Sequence, residues 1–117
     1  MRVLLISVFT LLFSTSGNEK LVGRWETPVS PKGSTMSVVF SADNTFEAYL
    51  NHKPFTSGTY TLKNDTFSLI DNGCDGKEGV YLITFFSNGD SLRLAPIHDE
   101  CEGRKEGMSK TILGRKK

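Results

Sequence analysis

Short stretches of alternating apolar and polar residues follow one another along this chain from about residue 20 onward. They are rich in Val, Ile, Thr, Phe, Tyr and Leu, and the breaks between them carry Gly, Asn, Asp or Pro, as is typical of β-strands joined by turns. Tight breaks at 42–44, 64–65 and 88–90 contain residue types that tolerate the positive φ of hairpin turns. The pattern predicts eight strands, over residues 20–26, 35–41, 45–51, 57–63, 66–71, 80–87, 91–96 and 110–115.

Little of the chain favours a helix. Only residues 102–109 could hold a turn or so of helix, and two glycines weaken even that segment. Consecutive hairpins without crossover helices leave two architectures, a two-sheet sandwich and an up-and-down barrel. The tight turns favour a simple meander. We therefore expect an all-β fold, an eight-stranded antiparallel up-and-down β-barrel.

Alternation within the strands selects the side chains that face the interior. Their neighbours, among them Arg24, Ser37 and Glu47, are expected to face water. Segment 80–86 is apolar on both faces, so its orientation stays open, and whichever face points outward would form an exposed patch. The predicted inner positions are Leu21, Gly23, Trp25, Met36, Val38, Phe40, Phe46, Ala48, Leu50, Gly58, Tyr60, Leu62, Phe67, Leu69, Leu92 and Leu94.

The first 16 residues have a different character from the rest. Arg2 precedes a mostly apolar run over 3–13, which ends in small residues that include Ser14 and Ser16. This layout is that of a secretory signal cut before Gly17, whereas a membrane-spanning helix would need roughly 20 apolar residues. The segment also resembles a bacterial lipoprotein signal, but the lipid-carrying Cys is replaced by Gly17. We expect a signal peptide over 1–16 and a secreted or periplasmic domain over 17–117 with no membrane anchor.

Charge and length narrow the function classes. Without Arg2 the chain has 13 basic residues, which equal its 13 acidic residues. A neutral surface argues against nucleic acid as a partner. About 100 residues make one domain with a single modest core, and we expect it to be a monomer.

Several short phrases carry a family resemblance. The sequences LVGRWE at 21–26, VFSADNTF at 39–46 and GTYTL at 58–62 resemble those of short lipocalin-like proteins of the calycin superfamily, and the stretch from 79 to 104 is similar to small secreted members of that group. The resemblance implies that Gly23 and Trp25 pack at the closed base of a barrel. It also implies that a basic residue of the final strand, here Arg115, lies across the Trp25 ring.

The two cysteines, Cys74 and Cys101, are most simply one disulfide in an exported protein. Topology supports the pairing independently. In a meander, alternate connections emerge at the same end, so the loop after the fifth strand and the loop after the seventh are neighbours. Cys74 lies in the first of these loops and Cys101 in the second.

The same alternation of connections places several loops with polar residues at that end, which is the open mouth in lipocalins. A metal site would need His52 and His98 with Asp75 or Asp99, and a heme would need one of the histidines to face inward. The spacing matches no common metal motif, so we expect solvated loop charges, no metal and no cofactor. The loops involved carry His52, Lys53, Asp75, Glu78, His98, Asp99, Glu100 and Arg104.

Two functions from different classes remain once catalysis is set aside, because the chain has neither a nucleophile elbow nor a phosphate-binding loop before a helix. In the first, a non-enzymatic barrel binds a small apolar ligand in its interior or at its mouth. In the second, the interior is filled and the loop rim, with Tyr49 and Phe55, binds a protein or serves a structural role. The bulky inner residues favour a filled or nearly filled barrel, whereas a cavity of about 300 Å³ or more would favour the ligand. The predicted ligand-binding residues are Trp25, Met36, Phe40, Phe46, Tyr60 and Phe67.

Overall fold

The computed structural model describes residues 17–117, so the predicted signal peptide lies outside the described residues. Eight strands follow one another in space in the order of the sequence, and the last pairs with the first to close a barrel. All neighbouring strands are antiparallel. The predicted up-and-down β-barrel is confirmed. Its strands are β1 Gly23–Glu26, β2 Met36–Phe40, β3 Thr45–Leu50, β4 Lys53–Lys63, β5 Thr66–Asp71, β6 Gly79–Phe86, β7 Ser91–Asp99 and β8 Ile112–Arg115.

The two ends of the barrel differ in what covers them. We call the mouth the end that carries the β1–β2, β3–β4, β5–β6 and β7–β8 connections. The β5–β6 connection contains a short 3₁₀ turn, Cys74–Gly76, and the β7–β8 connection contains the helix α1, Glu102–Ser109, which is longer than the single turn expected. We call the base the opposite end, where residues 17–22 and the three tight turns lie.

The sequence pattern does not predict which face of β6 points inward, but the register of β6 with β7 does. Ile83 lies opposite Leu94 and therefore shares the inner face with it. Tyr81 and Ile83 are buried, whereas Leu82 on the other face is 44% exposed. The apolar outer face of β6 is therefore an exposed feature of the barrel wall.

Two residues differ in exposure from what the alternation predicts, although Leu50 lies opposite the cavity-lining Met36 on the inner face. Leu50 is 45% exposed because it ends β3 beside the two-residue turn at the mouth, beyond the covered interior. Ser37 is buried although its position alternates outward. Arg24 of β1 extends over it, and the guanidinium Nη2 lies 3.4 Å from the Ser37 hydroxyl oxygen.

Strands β4 and β7 extend through prolines, although the sequence pattern predicts that a strand is interrupted or ends there. Pro54 pairs with Tyr49 and Pro96 pairs with Tyr81, and in each case the register shifts immediately beside the pair. A β-bulge interrupts the regular ladder, so a residue without an N–H is tolerated there. Residues 53–56 and 97–99 therefore belong to the barrel wall and not to loops at the mouth.

Candidate functional site

The base is closed around Trp25, which is fully buried. Its indole N–H donates to the carbonyl of Leu21 at 2.8 Å, and the guanidinium carbon of Arg115 lies 4.3 Å from the ring centroid. Arg115 also donates to the backbone carbonyls of residues 20 and 22, so it fastens the segment before β1 across the barrel. Gly23 has a φ of 129°, and a Cβ there would lie 3.3 Å from Arg115 Nη1. Glycine therefore meets both the backbone and the packing requirement at this position.

Aromatic packing continues inward from the base through Tyr60, which is 2% exposed. The Tyr60 hydroxyl donates to the carbonyl of Ser41 at 2.8 Å and accepts from the side-chain amide of Asn18 at 3.1 Å. Phe40 packs edge-on against the Tyr60 ring at a centroid distance of 5.0 Å. Burial raises the pKa of the Tyr60 hydroxyl, and the Asn18 hydrogen bond partly opposes that rise. This end of the interior is filled by side chains whose polar atoms are bonded.

The other half of the interior contains a cavity of about 500 Å³ that extends toward the mouth. Its volume falls within the usual range of small-molecule pockets and exceeds the 300 Å³ that distinguishes the two functional hypotheses. The helix α1 forms one side through Met108 and two glycines, Gly103 and Gly107. Most of the wall is apolar, with Val38, Phe40, Phe46, Ala48, Leu69 and Leu94 among the residues that line it.

The six predicted ligand-binding residues divide between the two halves. Trp25 and Tyr60 lie at the base, where their polar atoms are bonded to the base segments, and they do not line the cavity. The four that line the cavity are Met36, Phe40, Phe46 and Phe67.

A buried ion pair lies where α1 meets the barrel wall. Arg104 donates from Nε to Oδ2 of Asp99 at 2.8 Å and from Nη2 to Oδ1 at 2.9 Å, which is a bidentate pair. The Tyr81 hydroxyl donates to Oδ2 of the same carboxylate, and the backbone N–H of Cys101 donates to Oδ1 at 2.9 Å. The Arg104 side chain is 7% exposed and that of Asp99 is 0% exposed. The carboxylate is therefore held on both oxygens.

A second carboxylate, Asp71 at the end of β5, lies on the other side of the guanidinium. Nη1 of Arg104 is 3.4 Å from Oδ1 of Asp71, whose Oδ1 also accepts the N–H of Gly73 at 2.9 Å. Within residues 17–117, Arg104 Nη1 is a buried side-chain atom without a hydrogen-bond partner. Both Arg104 and Asp71 line the cavity. The cluster thus brings charged groups to a wall that is otherwise mostly apolar.

The protonation states of the cluster follow from these contacts. Burial alone would raise the pKa of Asp99, but the hydrogen bonds from Arg104, Tyr81 and the Cys101 N–H outweigh it and lower that pKa to about 2. Burial, together with the Asp99 carboxylate, raises the pKa of the Tyr81 hydroxyl well above its usual range. The hydrogen bond to Asp99 raises the pKa of Arg104. At neutral pH the cluster is an ionised pair with a neutral phenol.

Gly79, the first residue of β6, provides the space for the ion pair. A Cβ at this position would lie 2.7 Å from Oδ2 of Asp99 and 3.1 Å from Nη2 of Arg104. Any other residue at position 79 would displace the carboxylate or the guanidinium.

The predicted disulfide between Cys74 and Cys101 is confirmed, with the Cα atoms 5.8 Å apart. It joins the β5–β6 connection to the residue before α1, and both half-cystines line the cavity. The bridge and the Arg104–Asp99 pair therefore hold α1 against the mouth from the same end of the helix.

The expectation that the mouth carries solvated charges was wrong for Asp99 and Arg104. Asp99 belongs to the extended β7, and the bulge in the β6–β7 pairing upsets the simple alternation that would have shown its inward position. The other six residues of that group are exposed, and His98 makes a surface contact with Glu100 at 3.8 Å. In the part of the chain that the structure describes, three or more potential metal ligands do not come together.

Three important residues of the site were missed by the sequence reasoning. Asp71 continues the inward alternation of Phe67 and Leu69, so a carboxylate at an inner position was a signal in the sequence. The sequence pattern does not predict the orientation of Tyr81, because both faces of β6 are apolar. Met108 gave no signal, since its role depends on where α1 docks.

Comparisons with known proteins leave the family open. A scan against protein-family models finds no match to this sequence, and a search of curated proteins finds no significant match. Residues 17–117 include no helix long and apolar enough to cross a bilayer. The eight-stranded antiparallel barrel, with Arg115 over Trp25 at its base, is compatible with a lipocalin-like fold.

Proposed function

We propose that this protein is a non-enzymatic, lipocalin-like binding protein that holds a small apolar molecule inside its barrel. The observation that carries the proposal is the cavity of about 500 Å³ between the aromatic base and α1. Apolar surface that leaves water gains roughly 25 cal/mol per Å², so a cavity with such walls favours an apolar guest. Solvent-facing Phe55, which is 62% exposed and lines the cavity, extends the apolar surface to the mouth.

The test is a titration with N-phenyl-1-naphthylamine, a neutral dye whose emission rises in apolar surroundings. We expect saturable binding with one dye per protein. Ala48→Phe should weaken that binding at least about tenfold, because Ala48 lines the cavity and a phenyl group there occupies ligand space. Trp25 is a poor reporter, since it lies at the base away from the cavity.

Ala95→Phe is the matched control, because it makes the same change on a strand at an exposed position of the barrel wall. Gly107→Leu is a second blocking variant, since a Cβ at that position meets no atom within 4 Å and leucine favours the helix. Equal dye affinity in Ala48→Phe, Gly107→Leu and the unchanged protein would place the dye elsewhere and count against the proposal. Absence of dye binding by the folded protein would refute it.

Export to an oxidising compartment is part of the proposal. The sequence of residues 1–16 has the layout of a secretory signal, and a disulfide is the form that two cysteines take outside the cytosol. We expect the mature protein to begin at Gly17, as intact mass would show. A mass that includes residues 1–16 in protein recovered from its own cells would contradict the cut.

A second function, binding of a protein at the mouth, is supported by apolar side chains that remain exposed there. Absence of dye binding together with an intact fold would favour this function over the first. The exposed side chains are Val29 at 69%, Leu50 at 45%, Phe55 at 62% and Ile97 at 58%.

A further inference from the structure

One nitrogen of the Arg104 guanidinium, Nη1, contacts Asp71 Oδ1 at 3.4 Å as an ion pair but makes no hydrogen bond among residues 17–117. Nε and Nη2 are bonded to Asp99, and Nη2 also donates to the carbonyl of Lys77 at 2.9 Å. Nη1 is buried without a hydrogen-bond partner among residues 17–117, and it lies on the side of Asp71. Because a buried donor that makes no hydrogen bond costs free energy even beside a carboxylate, this nitrogen favours a guest with an acceptor.

The other polar side chains of the cavity wall already have partners. The hydroxyl of Thr56 donates to Oδ1 of Asn72 at 2.6 Å, and the hydroxyl of Thr111 donates to the carbonyl of Gly107 at 2.6 Å. Among the residues that line the cavity, Asp71 and Arg104 are the two with charged side chains. A polar group of a ligand therefore finds its complement at this one position of the wall.

The charges of the cluster determine the kind of head group that fits. Arg104 is already balanced by Asp99 in a bidentate pair, and Asp71 adds a further negative charge 3.4 Å from Nη1. A carboxylate placed at Nη1 would be repelled by Asp71, and an ammonium group would be repelled by the guanidinium. A hydroxyl fits both groups, since its oxygen accepts from Nη1 while its hydrogen is donated to the Asp71 carboxylate.

We infer that the ligand is a neutral amphipath, an apolar body with a hydroxyl head group bound between Arg104 and Asp71. This inference rests on the proposed function, because the apolar body occupies the cavity of about 500 Å³. The apolar wall supplies most of the binding, and the head group fixes the orientation of the ligand with its polar end toward α1 and the disulfide.

The experiment is displacement of the bound dye at pH 7 by four probes with the same chain, octan-1-ol, octanoate, octylammonium and octane. We expect octanol to displace the dye at a concentration at least about tenfold below those of the other three, since one well-placed polar interaction corresponds to about a tenfold change in affinity. The comparison at constant chain length isolates the head group from the apolar contribution.

Asp71→Asn tests the charge argument, because it removes the repulsion and retains an oxygen that can accept the N–H of Gly73. We expect octanoate to improve at least about tenfold relative to octanol in this variant. Glu100→Gln makes the same charge change on a side chain that is 64% exposed, and it should leave the order of the probes unchanged. Arg104→Lys is the second variant. It keeps a cation beside Asp99 but lacks Nη1, so the advantage of octanol over octane should become smaller, because the hydroxyl retains only the Asp71 acceptor.

Three outcomes would overturn the inference. Equal displacement by all four probes would mean an apolar pocket whose Arg104 meets only water, which leaves the proposed function standing. Preference for octanoate or octylammonium in the unchanged protein would assign a charged head group. Failure of the dye to bind the folded protein would remove the proposed function and this inference together.

Discussion

The base and the mouth of this barrel are built from the same eight strands, yet the base is closed by side chains and the mouth contains a cavity. At the base, Trp25 and Tyr60 are buried with their polar atoms bonded, and Arg115 fastens the chain across them. At the mouth, a cavity of about 500 Å³ remains, and the buried Arg104 has a nitrogen without a hydrogen-bond partner among the described residues 17–117. The base is therefore packed in a way that stabilises the fold. The mouth instead retains a cavity and a buried donor without a hydrogen bond, and both of these features cost stability.

The means of closure differ as well. Backbone segments cross the base and are held by side-chain hydrogen bonds to carbonyls, which a small closed core needs. A short helix with two glycines covers part of the mouth, and it is held at its first turn by the disulfide and the Arg104–Asp99 pair. A Cβ at Gly103 or Gly107 would meet no atom within 4 Å, so these two glycines leave space that larger residues would fill.

The largest predicted effect comes from a comparison in which one aromatic residue is truncated at each end of the barrel. Trp25→Ala should lower the free energy of unfolding by about 3–5 kcal/mol, because the Trp25 side chain is fully buried and its removal leaves a void. Phe55→Ala should lower it by less than about 1 kcal/mol, since that side chain is 62% exposed, but it should weaken dye binding. Urea denaturation of both variants makes the measurement. Equal losses of stability would show that the two ends are not energetically distinct.

Removal of the disulfide should have the next largest effect. In the chain-entropy account, a bridge between residues 27 positions apart stabilises by roughly 3–4 kcal/mol. The double variant Cys74→Ala/Cys101→Ala should therefore melt at least about 10 °C lower, and amide exchange should accelerate most in α1. Calorimetry and hydrogen exchange measure the two effects, with the reduced unchanged protein as control. An unaltered melting curve with both thiols titratable in the native protein would remove the disulfide from this account.

The smallest of the three effects comes from acid, and comparison with an Asp99 variant assigns it to the mouth. The folded pKa of Asp99 is about 2, below its ordinary value of 3.8, so its contribution is present above pH 4 and is lost as pH falls from about 4 to 2. A difference of this size corresponds to roughly 2 kcal/mol of stability. Denaturation at a series of pH values measures it, and Asp99→Asn should flatten the loss over that interval. An equally steep loss in Asp99→Asn would assign the acid sensitivity to other carboxylates.

The parts of the molecule that sequence reasoning found are those that depend on local pattern and parity. Alternation placed Phe46 and Leu69 inside the barrel, and the order of the loops brought Cys74 to Cys101. The parts that it missed depend on irregular pairing. The bulge beside Tyr81 extends β7 and fixes Asp99 inside the wall, and a bulge cannot be located from alternation in either strand alone.

The sequence by itself determined an antiparallel barrel, the pairing of its cysteines and the aromatic character of its interior, because strand period, turn chemistry and loop order are properties of neighbouring residues. Only the tertiary structure decided that the interior is divided into a filled base and an open cavity. That division depends on how far each side chain reaches and on where α1 docks. The same structure decided that Arg104, at a position indistinguishable in sequence from a surface charge, is buried against Asp99.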